Sequence, residues 1–196
     1  MIKLRLARFF YSFAIRYWSI WSRVYRFFWH RKYSKVELLK NLTPSEANEV
    51  VNTLRWTADG PWALWDACGS PHWVQHAINE VAASKEQPAG YLDCDDFSIW
   101  CAHAIDKRYY PVIFTFSWLS DDNKLNGHAM CLVRQKDGRM CHVGNWGIFG
   151  PYANLHQACE AILNIHGCKD AVGWAILDSS MTVLDSGRAL PREGVI

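Results

Sequence analysis

The chain predicts an α+β domain behind a basic amphipathic helix. Three observations carry that reading. Helix signals crowd the first half of the 196 residues, and period-two strand patterns take over from about residue 110. Between two of those patterns lies Asp137-Gly138, a hairpin signal. Half the residues are hydrophobic and eleven are Trp, enough to build a real core. Two units are expected: an arm over residues 1–38 and a domain over 41–190.

The arm holds Lys3, Arg5, Arg8, Arg16, Arg23, Arg26, Arg31, Lys32 and Lys35 and no acid, so the formal charge of +2 leaves the remainder near −7. Arginines recur through it and no small-residue cleavage site follows, which excludes a secretory signal. Its apolar runs fall far short of the ~20 residues of a membrane span. On a helix, Arg5, Arg8, Ser12, Arg16, Ser19, Arg23 and Arg26 form one polar stripe. Leu6, Phe9, Phe10, Phe13, Tyr17, Ile20, Val24, Phe27 and Phe28 fill the opposite side. A membrane surface, a groove on a partner protein and packing on its own domain are the three destinations such a helix allows. Nucleic acid is not expected, because the aromatics lie opposite the arginines.

Thr43, Pro44 and Glu46 are a helix start. "ADGP" at 58–61 and "GSP" at 69–71 are breaks. Residues 72–84, 94–107 and 153–165 read as helices. "YYPVIFTFSWL", "HAMCLVRQ", "RMCHVGNWG", "AVGWAILD" and "MTVLD" read as strands. Seven cysteines, an odd number in a chain too large to need staples, imply free thiols in a reducing, cytoplasmic compartment. No cysteine pair has structural-zinc spacing, so neither metal nor cofactor is expected.

The candidate chemistry centres on "YLDCDDFS". Cys94 opens a helix among three aspartates, which favour the helix's positive end and raise the thiol. A nucleophile there needs a base and the base an orienting group. His103, nine residues on, falls on the far side of the helix. His72 and His76 read as packing residues. His128, after Asn126-Gly127, opens a strand. Taking Asp137-Gly138 as a two-residue turn, paired numbers sum to 275. Asn145 then meets Met130, His128 meets Gly147, and His128 and Asn145 become diagonal neighbours ~7–8 Å apart. His142 falls on the other face, and a three- or five-residue loop would swap these assignments. A protonated His128 near the sulfur would outweigh solvated carboxylates. The Cys94 N–H suits an oxyanion, with Gln87, Trp56, Trp62 and Trp65 as unranked second donors.

"DCDDFS", "GHAMCLV" and "HVGNWG" resemble the three core blocks of the transglutaminase-like, papain-fold cysteine peptidase superfamily. "RWTADGPWALWDACGSP" resembles the segment before the cysteine in its bacterial and bacteriophage branch. The resemblance covers residues 50–185. It implies a Cys helix packed on an antiparallel sheet, with Cys94 as nucleophile, His128 as base and acid, and Asn145 as orienter. An acyl-enzyme on a peptide or amide substrate would follow, resolved by water or an amine. An interfacial arm beside such a domain would suit a place at an inner membrane or in a virion. Asn145 stands where many members have Asp, and Leu92 where Gly is common. A catalytically inactive structural or virion protein, or a membrane-associated one, on the same fold is the alternative.

Overall fold

The computed structural model describes residues 2–57, 68–83, 85–88, 92–122, 124–144, 147–165, 167 and 170–192. Among them are five α-helices and one six-stranded antiparallel sheet, an α+β architecture. The helices are α1 (Ile2–Trp29), α2 (Pro44–Val51), α3 (Pro71–Ala82), α4 (Cys94–Ala104) and α5 (Leu155–Ile165). The strands are β1 (Val112–Leu119), β2 (Leu125–Arg134), β3 (Met140–Gly144), β4 (Gly147–Tyr152), β5 (Asp170–Leu177) and β6 (Val183–Arg188), in the order β4-β3-β2-β1-β5-β6.

The helix starts follow their capping chemistry. Thr43 Oγ1 accepts from the Glu46 N–H while the Glu46 carboxylate accepts from the Thr43 N–H, and Pro44 fills the first helical position. Ser70 caps α3 by accepting from the Trp73 N–H, with Pro71 next. Asp93 accepts from the Asp95 N–H at 3.2 Å, and Asp96 reaches back to the Asp93 N–H at 3.4 Å. Two of the three aspartates around Cys94 therefore hold the turn on which it sits.

Side-chain alternation divides the sheet into two faces. Ile113, Cys131, Val133, Cys141 and Val143 join the core under α1, α3 and α4. Phe114, Phe116, Met130, Leu132 and Met140 join the core under α5. Helix α4 is buried on nearly every side, because α2 and α3 cover what the sheet does not. A buried polar strut fixes it: Trp100 Nε1 and the Leu39 N–H both donate to Gln75 Oε1 at 3.0 Å.

The arm is part of this body. Tyr11 and Ile15 of α1 belong to the main core, and Ser19 and Ser22 are buried beside them. Arg8 Nε donates to the Ala171 carbonyl at 2.9 Å and Ser19 Oγ to the Met181 carbonyl at 2.5 Å. This divides the expected polar stripe. Arg8, Ser19 and Arg26 bond the domain, while Arg5, Arg16 and Arg23 stay exposed. The opposite, aromatic face points outward.

Gly173 makes the close approach possible. A Cβ there would lie 2.4 Å from the Tyr11 ring. The ring is instead laid on the strand backbone, and burial raises the Tyr11 hydroxyl to about 12. Strand β4 was not expected from the sequence; two glycines and a proline hide its period.

Gly173→Ala should therefore force Tyr11 off the sheet. The expected loss is about 1–3 kcal/mol, the usual cost of overpacking a filled site. A lowered midpoint in urea unfolding, with far-UV dichroism unchanged, checks it.

Candidate functional site

Cys94 is the first residue of α4 and is half-buried; the other five described cysteines, 68, 101, 131, 141 and 159, are buried. All six are free thiols. Burial pushes Cys68, Cys101, Cys131 and Cys159 well above the ordinary thiol range. Cys94 is thus the accessible thiol of the described set, at a helix start where backbone N–H groups are free of helical partners.

The segment Cys68–Ser70 runs buried alongside that start. Cys68 Sγ donates to the Asp95 carbonyl at 3.4 Å, and the Gly69 N–H donates to Asp96 Oδ1. From the other side, Ser22 Oγ accepts from the Cys68 N–H at 3.1 Å and Arg26 Nε donates to the Cys68 carbonyl at 3.1 Å. His30 Nδ1 accepts from the Ser70 N–H at 2.8 Å. That bond requires a neutral ring. Burial, then Arg26 and Lys32, lower His30 to about 4.

The hairpin that should present His128 has a different register. The Gln135 N–H donates to the Arg139 carbonyl at 2.7 Å, closing a three-residue loop, Lys136-Asp137-Gly138. Gly138 takes φ +86°, the left-handed position such loops reserve for glycine. Asp137 braces the loop by accepting from the Arg139 N–H at 3.0 Å. Paired residues therefore sum to 274, as Leu132 with His142 and Arg134 with Met140 show. The sum of 275 is corrected by one, and one step exchanges faces.

His128 is also not at the strand's opening; β2 begins three residues earlier, at Leu125. It lies opposite Phe116 and alternates with Met130 and Leu132, so its side chain leaves on the α5 face. Helix α4, with Cys94, packs on the other face. His142 joins His128: their rings flank Gly144, at 3.7 Å (His142 Cδ2) and 3.9 Å (His128 Nε2) from where its Cβ would be. Asn145 lies outside the described residues. In this register His128 leaves the sheet on one face, and the helix that carries Cys94 packs on the other.

The other candidates resolve plainly. His103 Nε2 meets the Ser179 carbonyl at 3.0 Å, His72 Nδ1 meets the Val36 carbonyl at 2.7 Å, and His76 stacks on Tyr33. Gln87 is a strut, bonded at both ends of its amide to the Arg55 backbone. Trp56 is exposed, and Trp62 and Trp65 lie outside the described residues. Ligand atoms of Asp93, Cys94 and Asp95 lie within 4.8 Å of one another, the closeness expected of neighbours at a helix start. His142 is buried, its ring stacked on Phe149 and Tyr152 at 5.0 and 5.7 Å. Its Nδ1 has no hydrogen-bond partner among the described residues.

No family model, no curated protein and no solved structure matches this chain.

Three histidines make the fold acid-sensitive. Burial lowers His30, His103 and His142 to about 4 from the ordinary 6.5. Between those values the unfolded chain binds protons that the folded chain refuses. Stability should fall as pH drops from about 6.5 toward 4 and level off below. Urea unfolding across that range checks it, and His142→Phe should make the slope shallower.

Proposed function

We propose that this is a peripheral membrane protein in which α1 lies along the surface of an anionic bilayer and holds the α+β domain there. The observation that carries the proposal is the outward face of α1. Leu6, Phe9, Phe10, Phe13, Tyr17, Ile20, Val24, Phe27 and Phe28 all face solvent, with Phe13 68% and Phe28 67% exposed. Together they form an apolar strip on the order of 800 Å², above what ordinary monomer surfaces leave open. Arg5, Arg16 and Arg23 emerge within about 20° of one another, along one border of that strip. No acid precedes Glu37. Apolar side chains at acyl depth with arginines at the phosphates is the interfacial geometry. Among the described residues no helix is long and apolar enough to cross a membrane. Free thiols fit the reducing side of that membrane.

Flotation with phosphatidylglycerol vesicles tests it. Each arginine near such a surface is worth about 1 kcal/mol, so the triple change R5Q/R16Q/R23Q should weaken binding on the order of 100-fold. Binding that is unchanged, or equal on pure phosphatidylcholine, overturns the reading.

A second reading rests on Cys94 as the accessible thiol. It makes the domain a thiol-dependent amidohydrolase or peptidase of the transglutaminase-like, papain-fold kind. Cys94 would attack an amide carbonyl, expel the amine as His128 protonates it, and pass the thioester to water; Asn145 would orient the imidazole. A Cys helix packed on an antiparallel sheet supports this reading. The face on which His128 emerges opposes it.

Alkylation by iodoacetamide at about pH 6 separates the possibilities. An activated Cys94 labels far ahead of the buried thiols. Loss of that lead in His128→Ala would put His128 at the sulfur in solution. A lead that survives His128→Ala and disappears in Cys94→Ser would leave a reactive thiol without that base.

A further inference from the structure

We propose that the buried segment Cys68–Ser70 is a mechanical link through which the seat of α1 sets the conformation of the Cys94 turn. Every bond in the link is placed to transmit position. On the α1 side, Ser22 and Arg26 grip both backbone groups of Cys68, and His30 takes the Ser70 N–H. On the α4 side, Cys68 Sγ meets the Asp95 carbonyl and the Gly69 N–H meets the Asp96 carboxylate. Asp96 is also the residue that reaches back to the Asp93 N–H and closes the first turn of α4. Cys94 lies between those two aspartates.

The link is tight. A Cβ on Gly69 would meet Asp96 Oδ1 at 2.4 Å and His30 Cε1 at 3.0 Å. One glycine thus separates the last turn of α1 from the cap of the cysteine helix, with no slack for either to move alone. The residues on the α1 side face the domain, whereas the aromatic strip faces away from it. The membrane-facing helix therefore reports its seat inward on one side and contacts lipid on the other. This extends the membrane reading by giving α1 a second role, as a positioning element for the thiol, but the link itself needs no lipid to be tested.

The experiment compares S22A/R26M, His30→Phe and the wild type, all full length and in solution, following each cysteine's alkylation by peptide mass spectrometry. Loosening the link should fray the first turn of α4 and raise the Cys94 rate by about threefold or more. Cys101 and Cys131, deep in the same core, should stay protected. Gly69→Ala, which wedges the link instead of cutting it, should change the Cys94 rate with the same selectivity. Cys94 rates within about threefold of wild type in all three variants would overturn the proposal. So would a rise shared equally by Cys101 and Cys131, which reports general loosening. Because no vesicle is present, neither result depends on whether α1 binds lipid.

Discussion

The alternation of side chains across the central sheet is the constraint on which the rest of the molecule depends. Strand β1 shows it most fully: Ile113 serves the core under α4, while Phe114 and Phe116 serve the core under α5. Because both faces of the inner strands are buried, a slip of one residue would exchange two complete sets of core side chains. The register is therefore held by hundreds of square ångströms of packing on each side. Functional residues carried on these strands inherit their side of the sheet from that packing, whatever chemistry would prefer.

The same constraint explains how α1 sits. Over β5 and β6, where α1 packs, Gly173 bares the strand backbone. Helix α1 lays the Tyr11 ring there, and Ile15, with Leu4, Ala7 and Trp18, packs against the same core. The helix buries its less hydrophobic side and presents its more hydrophobic one. A soluble protein gains nothing from that orientation, since exposed rings cost free energy in water. On the reading proposed above, an anionic bilayer receives the strip, with the neighbouring arginines at its phosphates.

Much of the fold was legible in the sequence, because local chemistry decides it. Thr43-Pro44 with Glu46 satisfies helix-end N–H groups without tertiary help, and the aspartates around Cys94 mark the start of α4. Strand patterns within 112–119, 128–134 and 171–177 were visible for the same reason, but the first three residues of β2 were not. Other features were not. The direction in which α1 faces depends on a glycine about 160 residues away, which no periodicity encodes. The hairpin register depends on whether Asp137-Gly138 forms the whole turn or its last two residues. Dipeptide composition cannot separate those cases, and the answer moved His142 onto the face of His128. The link through Ser70 and His30 was invisible too, since only folding brings residues forty positions apart into contact.

The arrangement also shows what any thiol chemistry here would demand. At Cys94 the fold supplies a helix start, a degree of exposure and a cap built from aspartates. It does not bring His128 over from the α5 face, and packing opposes moving that ring alone. Met130 and Leu132 lie two and four residues along the same side of β2, and Phe116 lies directly across from it. Bringing His128 to the α4 face without displacing them needs an extra residue's worth of strand between His128 and Met130, a β-bulge. Such a bulge would leave the core intact and re-aim only the strand's first residues, 125–128, which are also its most exposed. The catalytic question thus reduces to the local conformation of four residues at the end of one strand, while the packing that fixes the remainder of the sheet stays the same under either answer.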